Sequence, residues 1–87
     1  MRLDKYLKIS RLIKRRTVAK EAASKDKVLV NNKLAKPSTT IYTNDLITLY
    51  LGLKIITIKV TSLTPIKDDL MYELIKEEKR IEQVSPL

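Results

Sequence analysis

The chain has 87 residues, room for one small domain and too few for a two-domain enzyme. It contains neither Cys nor His, which removes disulfides, the usual zinc sites, the thiolate nucleophile and the commonest general base. No cofactor and no metal is expected, and a small apolar core must supply the stability. Lys and Arg number 18 against 10 acidic residues, a net charge of +8, which favours a polyanionic partner.

Apolar runs break far short of the ~20 residues that span a bilayer, and the first residues lead into no signal-peptide pattern. The expectation is a soluble cytoplasmic protein with no membrane partner. The charge is uneven. Residues 1 to 27 hold 10 basic and 3 acidic side chains, a net of +7, whereas residues 28 to 87 hold 8 and 7, a net of +1. A polyanion site therefore belongs to the N-terminal third.

From Leu3 to Ile9, helical spacing puts Leu3, Tyr6 and Leu7 on one arc and Arg2, Lys5 and Lys8 on the other. This is a short amphipathic helix with a basic outer face. Asp4 lies in its first turn, where a carboxylate suits the helix dipole, and its position also faces Arg11. A second helix is expected over Arg15 to Lys25, with Val18, Ala19, Ala22 and Ala23 on a narrow apolar arc. Arg16 and Lys20 stand at i and i+4 beside it, a like-charge spacing that a bound anion would relieve.

Beyond Asp26 the pattern becomes extended. Val28-Leu29-Val30 runs into Asn31-Asn32, a pair suited to a tight hairpin turn. After Lys36-Pro37-Ser38 and the turn at Thr43-Asn44-Asp45, strands are expected over Leu46 to Leu51 and Lys54 to Thr61, with Gly52 at the reversal. In the latter, Ile56, Ile58 and Val60 alternate with Ile55, Thr57, Lys59 and Thr61. Thr64-Pro65 closes the sheet, and Asp68-Asp69 reads as the cap of a C-terminal helix with Leu70, Leu74, Ile75 and Ile81 on one face. Its Glu77-Glu78-Lys79-Arg80 run is mixed in sign, and Ser85-Pro86-Leu87 should fray. The fold class is α+β: two short N-terminal helices on a small antiparallel sheet, in a domain of residues 1–62, followed by a helical extension over 63–87.

Chemistry narrows the function. Asp68-Asp69 suits capping better than catalysis, and one Gly cannot build a Gly-rich phosphate loop. No catalytic residues are assigned. The apolar arcs are small and needed for the core, unlike those of a membrane-surface helix. Four Tyr with no Phe or Trp argue against a stacking platform for single strands, leaving folded RNA read through its phosphates. A DNA-reading helix-turn-helix remains open, as does an RNA-binding subunit of a tRNA- or rRNA-modifying enzyme.

The ordered series Arg2-Leu3-Asp4-Lys5-Tyr6-Leu7, Arg11, Lys14-Arg15-Arg16-Thr17-Val18-Ala19, Val28-Leu29-Val30-Asn31, Lys36-Pro37-Ser38 and Asn44-Asp45-Leu46-Ile47 resembles the RNA-binding module first described in the fourth small-subunit ribosomal protein. The likeness spans residues 2 to about 60. In length and wording the chain is similar to the stand-alone RqcP family, relatives of the fifteen-kilodalton heat-shock protein, without the latter's longer basic extension.

That resemblance implies a non-enzymatic factor of ribosome quality control, and a monomer is expected. It implies binding to a large ribosomal subunit obstructed by peptidyl-tRNA, contacts with large-subunit rRNA and tRNA, and support of alanine tailing with the partner RqcH. The residues expected to touch RNA are Arg2, Lys5, Arg11, Lys14, Arg15, Arg16 and Lys20. Arg2 and Arg16 head the series; Arg11 is divided between RNA and an internal pair with Asp4. Nothing singles out Lys8 and Lys25, and Asp4 itself is structural. Asp26, Asn32 and Asn44 stand where that family usually has glycine, at turns that Asp and Asn tolerate. Lys14 replaces a frequent capping Ser or Thr, so the second helix should start less sharply.

Overall fold

The computed structural model describes residues 1–79; the expectations for Ile81 and for Ser85-Pro86-Leu87 lie outside them. Two helices, α1 (Leu3–Ile9) and α2 (Arg16–Ser24), precede strands β1 (Val28–Val30), β2 (Lys33–Leu34), β3 (Leu46–Leu51), β4 (Lys54–Val60) and β5 (Tyr72–Lys79). All five strands form one antiparallel sheet in the order β2-β1-β3-β4-β5. The register puts Val28, Ile47, Leu49, Ile58 and Val60 on one face, all fully buried in a single cluster with Leu3, Tyr6 and Leu7 of α1 and Ala19 and Ala23 of α2. Alternation along the strands and the two helical arcs meet in that one core.

Small side chains on α2 allow the helices to pair closely, as the Ala arc implies. Val18 departs from that arc: it is 48% exposed. The turns follow the residues available. Asn31 and Asn32 both take positive φ, 52° and 67°, between strands paired through Val30↔Lys33, as a two-residue hairpin of this hand requires. Asp26 and Asn44 also take positive φ, 60° and 77°, so the three Asx residues at glycine-like turns are accommodated. The Asn31 side chain stitches its hairpin to the next turn, its Oδ1 accepting from the Leu46 amide at 2.9 Å and its Nδ2 donating to Asp45 at 3.1 Å.

The expected C-terminal helix is not formed over the described residues. Tyr72–Lys79 is strand β5, paired along the whole of β4 from Val60↔Tyr72 to Lys54↔Lys79, with an irregularity near Thr57/Ile58. Local propensity favours a helix for a run rich in Glu, Leu and Lys, but an unpaired β4 edge outweighs a preference of a few tenths of a kcal/mol per residue. Asp68 and Asp69 make a turn instead: Asp68 has φ of 59°, and the Asp69 carboxylate accepts from the adjacent Leu70 amide at 2.7 Å. At the foot of β5, the buried Tyr6 hydroxyl donates to the Met71 carbonyl at 2.8 Å. Burial, with Tyr72 close by, pushes the Tyr6 phenol well above its ordinary pKa.

Candidate nucleic-acid interface

Asp4 organises the basic face. Its side chain is 3% exposed, a costly place for a carboxylate unless it is fully hydrogen-bonded. Four donors supply this. Arg2 grips it as a fork, Nε to Oδ1 and Nη2 to Oδ2, each at 3.2 Å. The Lys5 amide donates to Oδ1 at 2.8 Å, and Arg16 Nη2 reaches the same oxygen at 3.4 Å. Burial alone would raise the Asp4 carboxyl; the bonds from Arg2, the Lys5 amide and Arg16 outweigh it and hold its pKa below the ordinary carboxylate value.

One buried negative charge thus joins the start of α1 to the start of α2 and holds two guanidinium groups side by side. Both cations stay about half exposed, at 50% and 48%. Two positive charges against one negative leave an uncompensated unit of positive charge at the surface. A guanidinium has five N–H donors, so each arginine keeps donors free for an external phosphate while anchored to Asp4.

The expectation that Asp4 faces Arg11 is therefore corrected: its ionic partners are Arg2 and Arg16. Arg11 instead follows the α1 cap residue Ser10 with φ of 67°, the left-handed position that commonly ends a helix. Its amide donates to the Lys8 carbonyl at 3.0 Å. It lines a depression together with Lys8 and with Asp68 and Asp69 from the loop before β5.

The other expected contacts are all exposed. Lys5 lies on the outer face of α1, Lys14 in the link, and Arg15 at the N-cap of α2. That cap has extended backbone and no side-chain hydrogen bond, and the first turn of α2 holds no acidic residue. Its unpaired amides add to a locally positive helix end. Lys20 is one turn beyond Arg16 and borders a depression shared with Arg2.

The start of α1 is fixed from outside. The Leu3 and Asp4 amides donate to the carbonyls of Thr39 and Pro37 at 2.8 and 3.1 Å, and the Ile41 amide donates to Met1 at 2.8 Å. The first two of these bonds satisfy otherwise unpaired helix-start donors. They also bring Lys36 toward Arg2, a neighbour that charge counting over residues 1 to 27 misses. The signal was the Lys36-Pro37-Ser38 group, present in the series but far along the chain.

Residues 1–47 match the S4 domain. A Streptococcus pneumoniae protein named RQC P-site tRNA stabilizing factor is 49% identical over 97% of this chain and 100% of its own length. The chain belongs to this family. Bacillus subtilis has a protein of the same name, 46% identical over 91% of this chain and 96% of its own. Among solved structures, the trimeric heat shock protein 15 of Vibrio cholerae superposes with a TM-score of 0.77 at 29% identity, covering 86% of this chain and 81% of that one. The two helices and the antiparallel sheet are thus a fold like that of the S4 domain and heat shock protein 15, with the Asp4 cluster at the N-terminus of the segment that matches the S4 domain.

Proposed function

We propose that this protein is a non-enzymatic RNA-binding factor of ribosome-associated quality control, acting with ribosomes in the bacterial cytoplasm. It binds the large subunit obstructed by peptidyl-tRNA, contacts rRNA and tRNA through its N-terminal basic face, and supports alanine tailing by RqcH. The observation that carries this reading is the Asp4 cluster, which holds Arg2 and Arg16 half-exposed and under-neutralised. The names of the relatives, over nearly the whole chain, supply the setting.

Such a surface recognises a phosphate backbone by position and charge, since two anchored guanidiniums lose little side-chain freedom on binding. Lys5, Lys14, Arg15 and Lys20 widen the field around them. Arg11 belongs at the margin, on the depression it shares with Asp68 and Asp69.

The test is sedimentation of the tagged protein through a sucrose gradient, with sequencing of the RNA recovered from each fraction. Co-migration with free large subunits, enriched when translation is stalled and accompanied by tRNA, is the expected result. Protein found only at the top of the gradient at low salt defeats the proposal.

A further inference from the structure

Beside the Asp4 cluster lies an open depression of about 610 Å³, walled by α2 on one side and by the segment from Leu34 to Ser38 on the other. Its volume is in the range of small-ligand sites. Arg2, Lys20 and Lys36 stand around it, with Asp26 as the acidic member, so the rim carries an excess of positive charge. Its wall is apolar: Leu34 and Pro37 line it, and Leu34 is 62% exposed. β2 is only two residues long and lies at the sheet edge; paired with Leu29, Leu34 stands on the border between this depression and a second one lined by Leu29 and Tyr50.

An exposed leucine alone needs no explanation. Here it borders a depression that three cations also line, one of which, Arg2, already belongs to the proposed RNA interface. Apolar wall and basic rim together match the two halves of a nucleotide, a flat base and a phosphate. A base held in a duplex cannot enter such a depression, whereas an unstacked base can be splayed out into one. An acidic peptide would satisfy the rim but would not account for the continuity with Arg2 and Arg16.

We infer that this depression seats one unpaired RNA nucleotide, its base against Leu34 and Pro37 and its phosphates toward Arg2, Lys20 and Lys36. The inference rests on the proposed RNA interface and adds base contact to it. The Leu34–Ser38 segment then reads an irregularity in the RNA, while the helix starts hold the adjoining backbone.

The experiment measures binding of the full chain to purified large ribosomal subunits for Leu34→Thr, Leu34→Lys, Lys36→Gln and Arg16→Ala, each checked by thermal melt. It is paired with ultraviolet cross-linking of the unaltered protein, which joins side chains to bases. Leu34 is mostly exposed and Thr suits a strand, so Leu34→Thr should stay folded. Leu34→Thr and Leu34→Lys should each weaken binding about five- to tenfold, the loss expected for a contact of about 40–60 Å² of apolar surface. That Leu34→Lys weakens binding despite its added positive charge is the discriminating result, with a cross-link from residues 34–38 to an unpaired base beside it. Lys36→Gln should give a smaller loss and a shallower salt dependence. Leu34→Lys binding as well as or better than the unaltered protein, with cross-links confined to the helices and Arg16→Ala still impaired, overturns the base seat and leaves the phosphate interface standing. Full binding by Arg16→Ala removes the interface itself and the inference with it.

Discussion

The start of the helices and the β4–β5 ribbon are both rich in charge, yet they handle it in opposite ways. In the ribbon, opposite signs meet across and along the strands: Lys59 is opposite Glu73, and Lys76 pairs with Glu78. Around Asp4 the chain instead spends one buried carboxylate on two arginines. Apart from Lys54 opposite Lys79 at its far end, the charges of the ribbon are met by opposite ones, whereas the field of the helix starts points outward. Net charge alone does not distinguish a solubilising surface from a binding one; the distribution of partners does.

The largest effect should come from the shared carboxylate. Asp4→Asn keeps the shape, removes the charge and leaves two arginines facing each other. It should cost about 1–3 kcal/mol of stability, discounted from a fully buried pair because both arginines are half exposed. A melt and a binding isotherm should fall together. An unchanged melting temperature would break the contrast, reducing the cluster to ordinary surface charge.

Next, Arg2→Ala and Arg16→Ala should each weaken binding to large subunits about ten- to a hundredfold. Each should also reduce the slope of log affinity against log salt by about one, in a titration from low to moderate salt. Affinity insensitive to salt would exclude the outward field as the driving term.

The acid limb sharpens the same point. Because hydrogen bonds hold the folded-state pKa of Asp4 below the ordinary value, its contribution to stability is complete above about 3.9 and is lost as pH falls through the lowered folded-state value. Melting temperature should therefore lose the Asp4 contribution only below about pH 4, and Asp4→Asn should lack that part of the decline. An equally steep fall in Asp4→Asn would transfer the effect to other carboxylates.

Arg11 should show a smaller change. With no ion pair to Asp4 and a left-handed backbone, Arg11→Gly should hold stability within about 1 kcal/mol. Any loss of RNA affinity then reports its charge alone. Lys79→Ala, beside Glu77 and Glu78 in the ribbon, should change affinity least, by less than about threefold.

Much of this architecture can be read from the residues. The arc of Leu3, Tyr6 and Leu7, the paired Asn hairpin and the alternation from Lys54 to Val60 each carry their structure in local pattern, and the three-dimensional core uses them as spaced. Two features are not local. β5 has helical wording but an extended conformation, because the free edge of β4 decides it. The partner of Asp4 is similarly concealed: helical spacing suggests Arg11, while packing of α1 against α2 delivers Arg16 from 12 residues away. The basic third of the chain announces the interface, but the approach of Lys36 depends on backbone bonds between the 37–41 segment and the N-terminus.

The bond from Tyr6 to Met71 joins positions 65 residues apart. Closing a flexible loop of that length costs on the order of 4 kcal/mol in chain entropy before the contact returns anything. The first helix is made early during synthesis, but this bond must wait until the start of β5 has emerged. A chain arrested between the two leaves a phenol without its native acceptor and the β4 edge bare. Completion of the fold is thus tied to completion of nearly the whole described chain, and Tyr6→Phe should speed unfolding more than it slows folding if this closure follows the transition state.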